Sequence, residues 1–206
     1  LNRSLALAQI ESEESVKATY FINPHSAFYN LAEVGQCETV KKILSLGHDL
    51  GLHFDTAFYN IDSETTLDTF VSKEADYLQD LFGHRPTAIS FHNPTASHFT
   101  FDAEEYGGFV NCYSKRFKTE VGYCSDSNGY WRYRRLFDVL KEKKDTRLQV
   151  LTHPGWWQEK PIPARQRIFR SVYERASATM KSYDDELELH NRLNHKSNLN
   201  KLDILK

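Results

Sequence analysis

Four short apolar runs of this chain end in ionisable or polar side chains: "GLHFD" (51–55), "SFHNP" (90–94), "CSDSNG" (124–129) and "LTHPGWW" (151–157). Side chains alternate along a strand, so His53 and Asp55 project from one face of theirs. A core-filling segment has no use for such an ending. In parallel α/β folds the loops after the strands gather at one face, and ligands bind there.

The intervening segments fit that plan. "LNRSLALAQIESEE" sets Leu5, Ala8 and Ile10 among good helix formers, which predicts an amphipathic first helix. "VKATYFI" (16–22) is β-branched and aromatic, the composition of a strand. Val40, Ile43 and Leu44 recur at helical spacing, and Gly47 stands where that helix should stop. "HDLGLHF" follows as the second strand. Ser63 opens a longer helix carrying Leu67, Phe70, Val71, Leu78, Leu81 and Phe82 at helical period, with Gly83 closing it. "TAISFH" (87–92) reads as a third strand that Pro94 breaks, "GGFVNCYS" and "KTEVGYCSDS" as two more, and "RLQVLTH" (147–153) as the last. From Pro163 onward Ile168, Val172, Ala176 and Met180 mark a long helix. Alternating strand and helix favour an α/β fold with a largely parallel sheet or barrel. One domain is expected over 1–195, with a polar tail at 196–206.

His53, Asp55, His92, Asp126 and His153 can all reach the strand-end face. Imidazole and carboxylate suit zinc or another divalent transition ion. Such an ion lowers the pKa of bound water to about 7 and polarises a carbonyl. A further His can protonate a leaving group while a carboxylate orients it. His48, His84 and His98 read as structural residues. No GxSxG, GxGxxG or GxxxxGK[ST] stretch is present, so nothing favours a serine hydrolase, a dinucleotide or a nucleoside triphosphate. A net charge of −2 offers no electrostatic footprint for nucleic acid or an anionic membrane. No apolar run of about 18 residues exists, so no membrane span is expected. Cys37, Cys112 and Cys124 are widely spaced without a CxxC pair, the pattern of free thiols in a reducing, cytoplasmic setting.

With "ATYFI" (18–22), "GHDLGLHFD" (47–55), "SFHNP", "YCSDSNG" (123–129) and "LTHPGWW" in that order, the chain resembles the polysaccharide deacetylases of the NodB-homology family. The likeness is to a divergent branch from bacterial surface-polysaccharide gene clusters, and it spans roughly residues 3 to 157. It implies a distorted (β/α) barrel with fewer strands than a TIM barrel. It also implies a divalent metal, zinc by donor type, and removal of acetyl groups from sugars. The family's first motif, two aspartates supplying the base and one metal ligand, falls before residue 1, so the barrel is expected without its first strand. On that ground these residues alone are expected to be nearly inactive.

Carried over by position, His53 matches the family's first metal-binding His, while Ala57 stands where the second belongs. Asp55 or His92 is expected to fill that place. "FHNP" matches the arginine-proline motif, with His92 in place of the arginine and Asn93 after it. Asp126 matches the fourth motif, and His153 the fifth, whose His is the general acid. Trp156 and Trp157 follow directly, and an aromatic face there suits stacking on a sugar; Asn93 is a further substrate-binding candidate. Two alternatives stay beside the deacetylase: an inactive carbohydrate-binding protein of the same fold, and a metal hydrolase of another non-peptide C–N bond.

Overall fold

In the computed structural model, which describes residues 2–157 and 159–193, the central element is the strand β2 (Asp49–Phe54). Leu50, Leu52 and Phe54 turn to one side and are buried, while Gly51 and His53 turn to the other. Gly51 is required by its neighbour: a Cβ there would lie 2.6 Å from the ring of Phe21. Phe21 sits directly opposite on β1 (Thr19–Ile22).

Strands β1, β2, β3 (Ala88–Phe91) and β5 (Phe109–Asn111) run parallel in that order, and β4 (Glu105–Tyr106) pairs antiparallel on the outer side of β5. Gly107 and Gly108, both at positive φ, form the two-residue turn between β4 and β5. A second sheet holds only β6 (Gly122–Ser125) and β7 (Leu148–Leu151), also parallel. The parallel α/β character expected from the sequence is therefore present. The closed barrel is not: among the described residues no ladder joins the two sheets. The reason is local, because β4 occupies the edge of β5 on which a further parallel strand would have to pair.

Helix α1 (Asn2–Glu13) precedes β1, while α2 (Val34–Ser45) connects β1 to β2 and α3 (Leu67–Phe82) connects β2 to β3. α2 buries Val40, Ile43 and Leu44. α3 buries Leu67, Val71, Leu78 and Phe82 of the stripe read from the sequence, leaves Phe70 and Leu81 partly buried against the core, and adds Ala75 and one charged residue, Glu74. Val40 and Leu44 of α2 and the five buried apolar residues of α3 meet Leu50, Leu52, Phe54, Ile89 and Phe91 in one core. Each fully buried Leu, Val or Phe contributes about 1.5–3 kcal/mol. Gly83 ends α3 in the left-handed conformation, its N–H donating to the Gln79 carbonyl at 2.8 Å.

α4 (Lys115–Glu120) precedes β6, so the first part of "KTEVGYCSDS" is helical and the strand starts only at Gly122; α5 (Leu136–Glu142) leads to β7. All three cysteines are free. Among the described residues no helix is long and apolar enough to cross a membrane.

The chain divides into two compact units, Leu1–Glu159 and Lys160–Lys206. All the elements above lie in the first. The described part of the second contains α6 (Ala164–Leu189), which buries none of its residues and is laced by Lys181–Asp185 and Arg170–Glu174 ion pairs at i,i+4. The expected tail at 196–206 lies outside the described residues.

Candidate active site

Parallel strands put their C-terminal ends at one edge, and the polar residues follow from there. His53 and Ser90 are partners in the β2–β3 register, and His53 Nδ1 lies 2.7 Å from Ser90 Oγ. The ladder runs one step further, with the His92 N–H donating to the Phe54 carbonyl at 2.8 Å. That step brings His92 Nδ1 within 3.2 Å of His53 Nε2, the two rings lying edge to face. Asn93, in the left-handed conformation that Asn tolerates, places its Nδ2 3.0 Å from His92 Nε2. Read as one directional chain, Asn93 donates to His92, His92 Nδ1–H donates to His53, and His53 Nδ1–H donates to Ser90. Both imidazoles are neutral in that chain. Burial, followed by the charges of His92 and His153, pulls His53 down to about 4 against the opposing Asp55 carboxylate. His53 is therefore an unprotonated imidazole throughout the neutral range.

The second sheet supplies a carboxylate-held imidazole. Asp126, just past β6, is buried, and its N–H continues the ladder to the Leu151 carbonyl at 3.2 Å. Three N–H groups converge on its carboxylate. His153 Nδ1 lies 2.7 Å from Oδ1, the His153 backbone N–H donates to both oxygens, and the Trp157 indole donates to Oδ2 at 2.8 Å. With Nδ1 so held, Nε2 is the ring nitrogen left for a ligand. The His153 charge is among those that lower His53, so the dyad lies within electrostatic reach of the His53–His92 pair along the rim of strand ends. Trp157 is substantially exposed, and Trp156 lies tilted against His153 at 6.5 Å between centroids.

Asp55 takes a different position from the two histidines. Its Oδ1 accepts the Ala57 N–H at 3.0 Å, and its charge raises both His53 and a residue that sequence reasoning passed over, His25. His25 lies three residues beyond the end of β1. Its Nε2 is 2.7 Å from Oε1 of Glu74, and its ring stacks on Phe58 at 3.4 Å. Glu74 Oε2 is buried with no hydrogen-bond partner among the described residues, although the Tyr59 hydroxyl lies near the same carboxyl. Burial pushes Glu74 up to about 7 and pulls His25 below its ordinary value. Both shifts disfavour a carboxylate–imidazolium ion pair and favour the uncharged carboxyl and imidazole. Ser90, Glu74 and His25 all escaped the sequence reading. His25 does follow the "ATYFI" strand segment within three residues, and Glu74 falls on the apolar stripe of its helix.

His48 and His98 are buried and use both ring nitrogens on local groups, His48 with the Ala18 N–H and Ala8 carbonyl, His98 with the Thr95 N–H and Ile61 carbonyl. His84 binds the Phe82 carbonyl at 3.0 Å.

Two imidazole ligands on a tetrahedral zinc, at about 2.0–2.1 Å each, stand roughly 3.3 Å apart. The 3.2 Å separation of His53 Nε2 and His92 Nδ1 fits that edge. A metal would require His92 Nδ1 unprotonated, which needs only the Asn93 amide turned over to accept from Nε2–H. Asp55 does not join them: among the described residues no group of three or more His, Cys, Asp or Glu converges to hold an ion. Comparison with protein-family models and with curated proteins returns no match.

Proposed function

We propose that this chain carries the site of a metal-dependent hydrolase that removes an acetyl group from a sugar or polysaccharide precursor, a divergent relative of the NodB-homology deacetylases. One observation supports the reading most: the His53–His92 pair and the Asp126–His153 dyad each stand at the ends of parallel strands, near enough for the His153 charge to act on His53. His53 Nε2 and His92 Nδ1 would hold a divalent ion, zinc by donor type, together with a ligand outside the described residues. When bound, such an ion polarises the acyl carbonyl and acidifies water. The rest falls to the side chains. Ser90 and Asn93 hold the two imidazoles in orientation. Asp126 keeps the His153 Nδ1 proton in place, and protonated Nε2 gives its proton to the departing amine or alcohol. The exposed ring of Trp157, tethered to Asp126, offers a stacking face for a sugar.

The test is acetate release from acetylated sugars by the full-length protein. His153→Ala should lower the rate by about 10²–10⁴-fold, the usual contribution of a general acid. Equal rates would remove His153 from the mechanism. A carbohydrate-binding protein without catalysis is the second reading, favoured by Ala57 at the expected ligand position and by the two-donor set. It predicts no tightly bound divalent ion in full-length protein from metal-replete cells. The deacetylase reading predicts an ion that the His53→Ala, His92→Ala double variant loses.

A further inference from the structure

The described residues bury two carboxyl groups, Asp126 and Glu74, and each binds an imidazole on the same rim. The hydrolase reading uses one of them. Glu74 costs stability where it is: it sits on the core-facing stripe of α3 among Val71, Ala75 and Leu78, and one of its oxygens has no hydrogen bond. His25 is held from three directions, by Glu74 at Nε2, by Phe58 stacked on its face, and by Tyr59 edge-on at 5.6 Å. Its Nδ1 is the nitrogen left over, mirroring Nε2 of His153. His25 follows β1, and Phe58 and Tyr59 follow its parallel neighbour β2, so these ring contacts set His25 at the strand-end edge toward which β2 carries His53.

We propose that Glu74 and His25 form a second proton-transferring pair of this site, in which His25 Nδ1 takes a proton from a bound water or hydroxyl as its Nε2 proton passes to Glu74. The O–H bond of the water breaks, its proton forms Nδ1–H, and the electron pair stays on oxygen for attack on the acyl carbon. Nε2–H breaks and Oε1–H forms, so the imidazole is neutral before and after. Its role in acyl hydrolysis rests on the function proposed above; the pair itself does not.

The groups facing the pair are Asp55 from the loop after β2, Tyr59, and Lys73 beside Glu74 on α3. Asp55 and burial favour the protonated carboxyl, and Lys73 opposes them. A pair that releases its proton near neutrality is matched to a base working there.

Imidazole ¹⁵N resonances of the full-length protein, followed through neutral pH, test this directly. A shared proton predicts that His25 changes tautomer, from Nδ1–H on the acid side to Nε2–H on the alkaline side, without an imidazolium signal between. Glu74→Gln abolishes the change. An ordinary imidazolium titration of His25 in the wild type overturns the proposal, and needs no variant to be seen. Acetate release forms the second arm. Glu74→Gln and His25→Gln should each lower it by about 10²-fold and flatten the acid limb of its pH profile. Unchanged rates and profile in both variants also overturn the proposal. A tautomer change in a protein that releases no acetate would keep the pair and reject the deacetylase.

Discussion

Asp126 and Glu74 do the same job, holding an imidazole at a strand end, with opposite surroundings. Asp126 receives three N–H groups, and both its oxygens are satisfied. It can only accept in that arrangement, so the shared proton stays on His153 Nδ1. Glu74 meets one ring nitrogen and the nearby Tyr59 hydroxyl, and is pushed up to about 7 by its burial. Depth alone does not separate them, since both are buried. The number of donors aimed at the carboxyl does. One rim thus offers a histidine fixed as a donor-side acid and a histidine whose partner can take its proton.

Glu74→Gln should break the comparison most visibly. A carboxyl whose folded pKa lies above its unfolded value binds more protons folded than unfolded between the two, so stability falls as pH rises through that window. Here the window runs from the ordinary 4.5 to about 7. Wild type should lose up to about 3 kcal/mol across it, and the variant should not. Urea unfolding at pH 8 should therefore find Glu74→Gln the more stable protein. Parallel curves for the two proteins from acid to alkaline pH would show that Glu74 carries no such burden.

Asp126→Asn should move stability the other way. Its amide N–H would face one of the N–H groups now donated to the carboxylate, at a cost of about 1–3 kcal/mol at any pH. A variant as stable as wild type would mean that the three donors are less committed than their distances imply. The smallest effect sharpens the contrast: Phe58→Ala removes the ring stacked on His25 and should cost about 1 kcal/mol in unfolding free energy. His153, which lacks such a stacked ring, should keep its imidazole resonances unchanged in that variant.

Much of the frame was legible in the sequence because it rests on periodicity. The α3 stripe and the alternation that sends His53 away from Leu52 and Phe54 are properties of residue order, and the structure repeats them. What escaped depends on neighbours distant in the chain. The β4–β5 hairpin was hidden in "GGFVNCYS", whose glycines read as the start of a strand and act as its turn. The edge that β4 occupies separates the two sheets, a matter of pairing that no local pattern reports. Glu74 was passed over because a charged residue in a helix is ordinarily assigned to solvent. Its spacing from Val71 and Leu78, three and four residues, carried the opposite message.

The pairing of His53 with Ser90 has a further consequence for how the protein comes to be made. Sliding β3 past β2 by a single residue would exchange the faces of every side chain on it. Ser90 and His92 would swing into the hydrophobic layer while Ile89 and Phe91 emerged beside the imidazole. A chain threaded that way could keep its helical content and would have no assembled rim. Proofreading of one strand alignment during folding is thus the same event as assembling the chemistry.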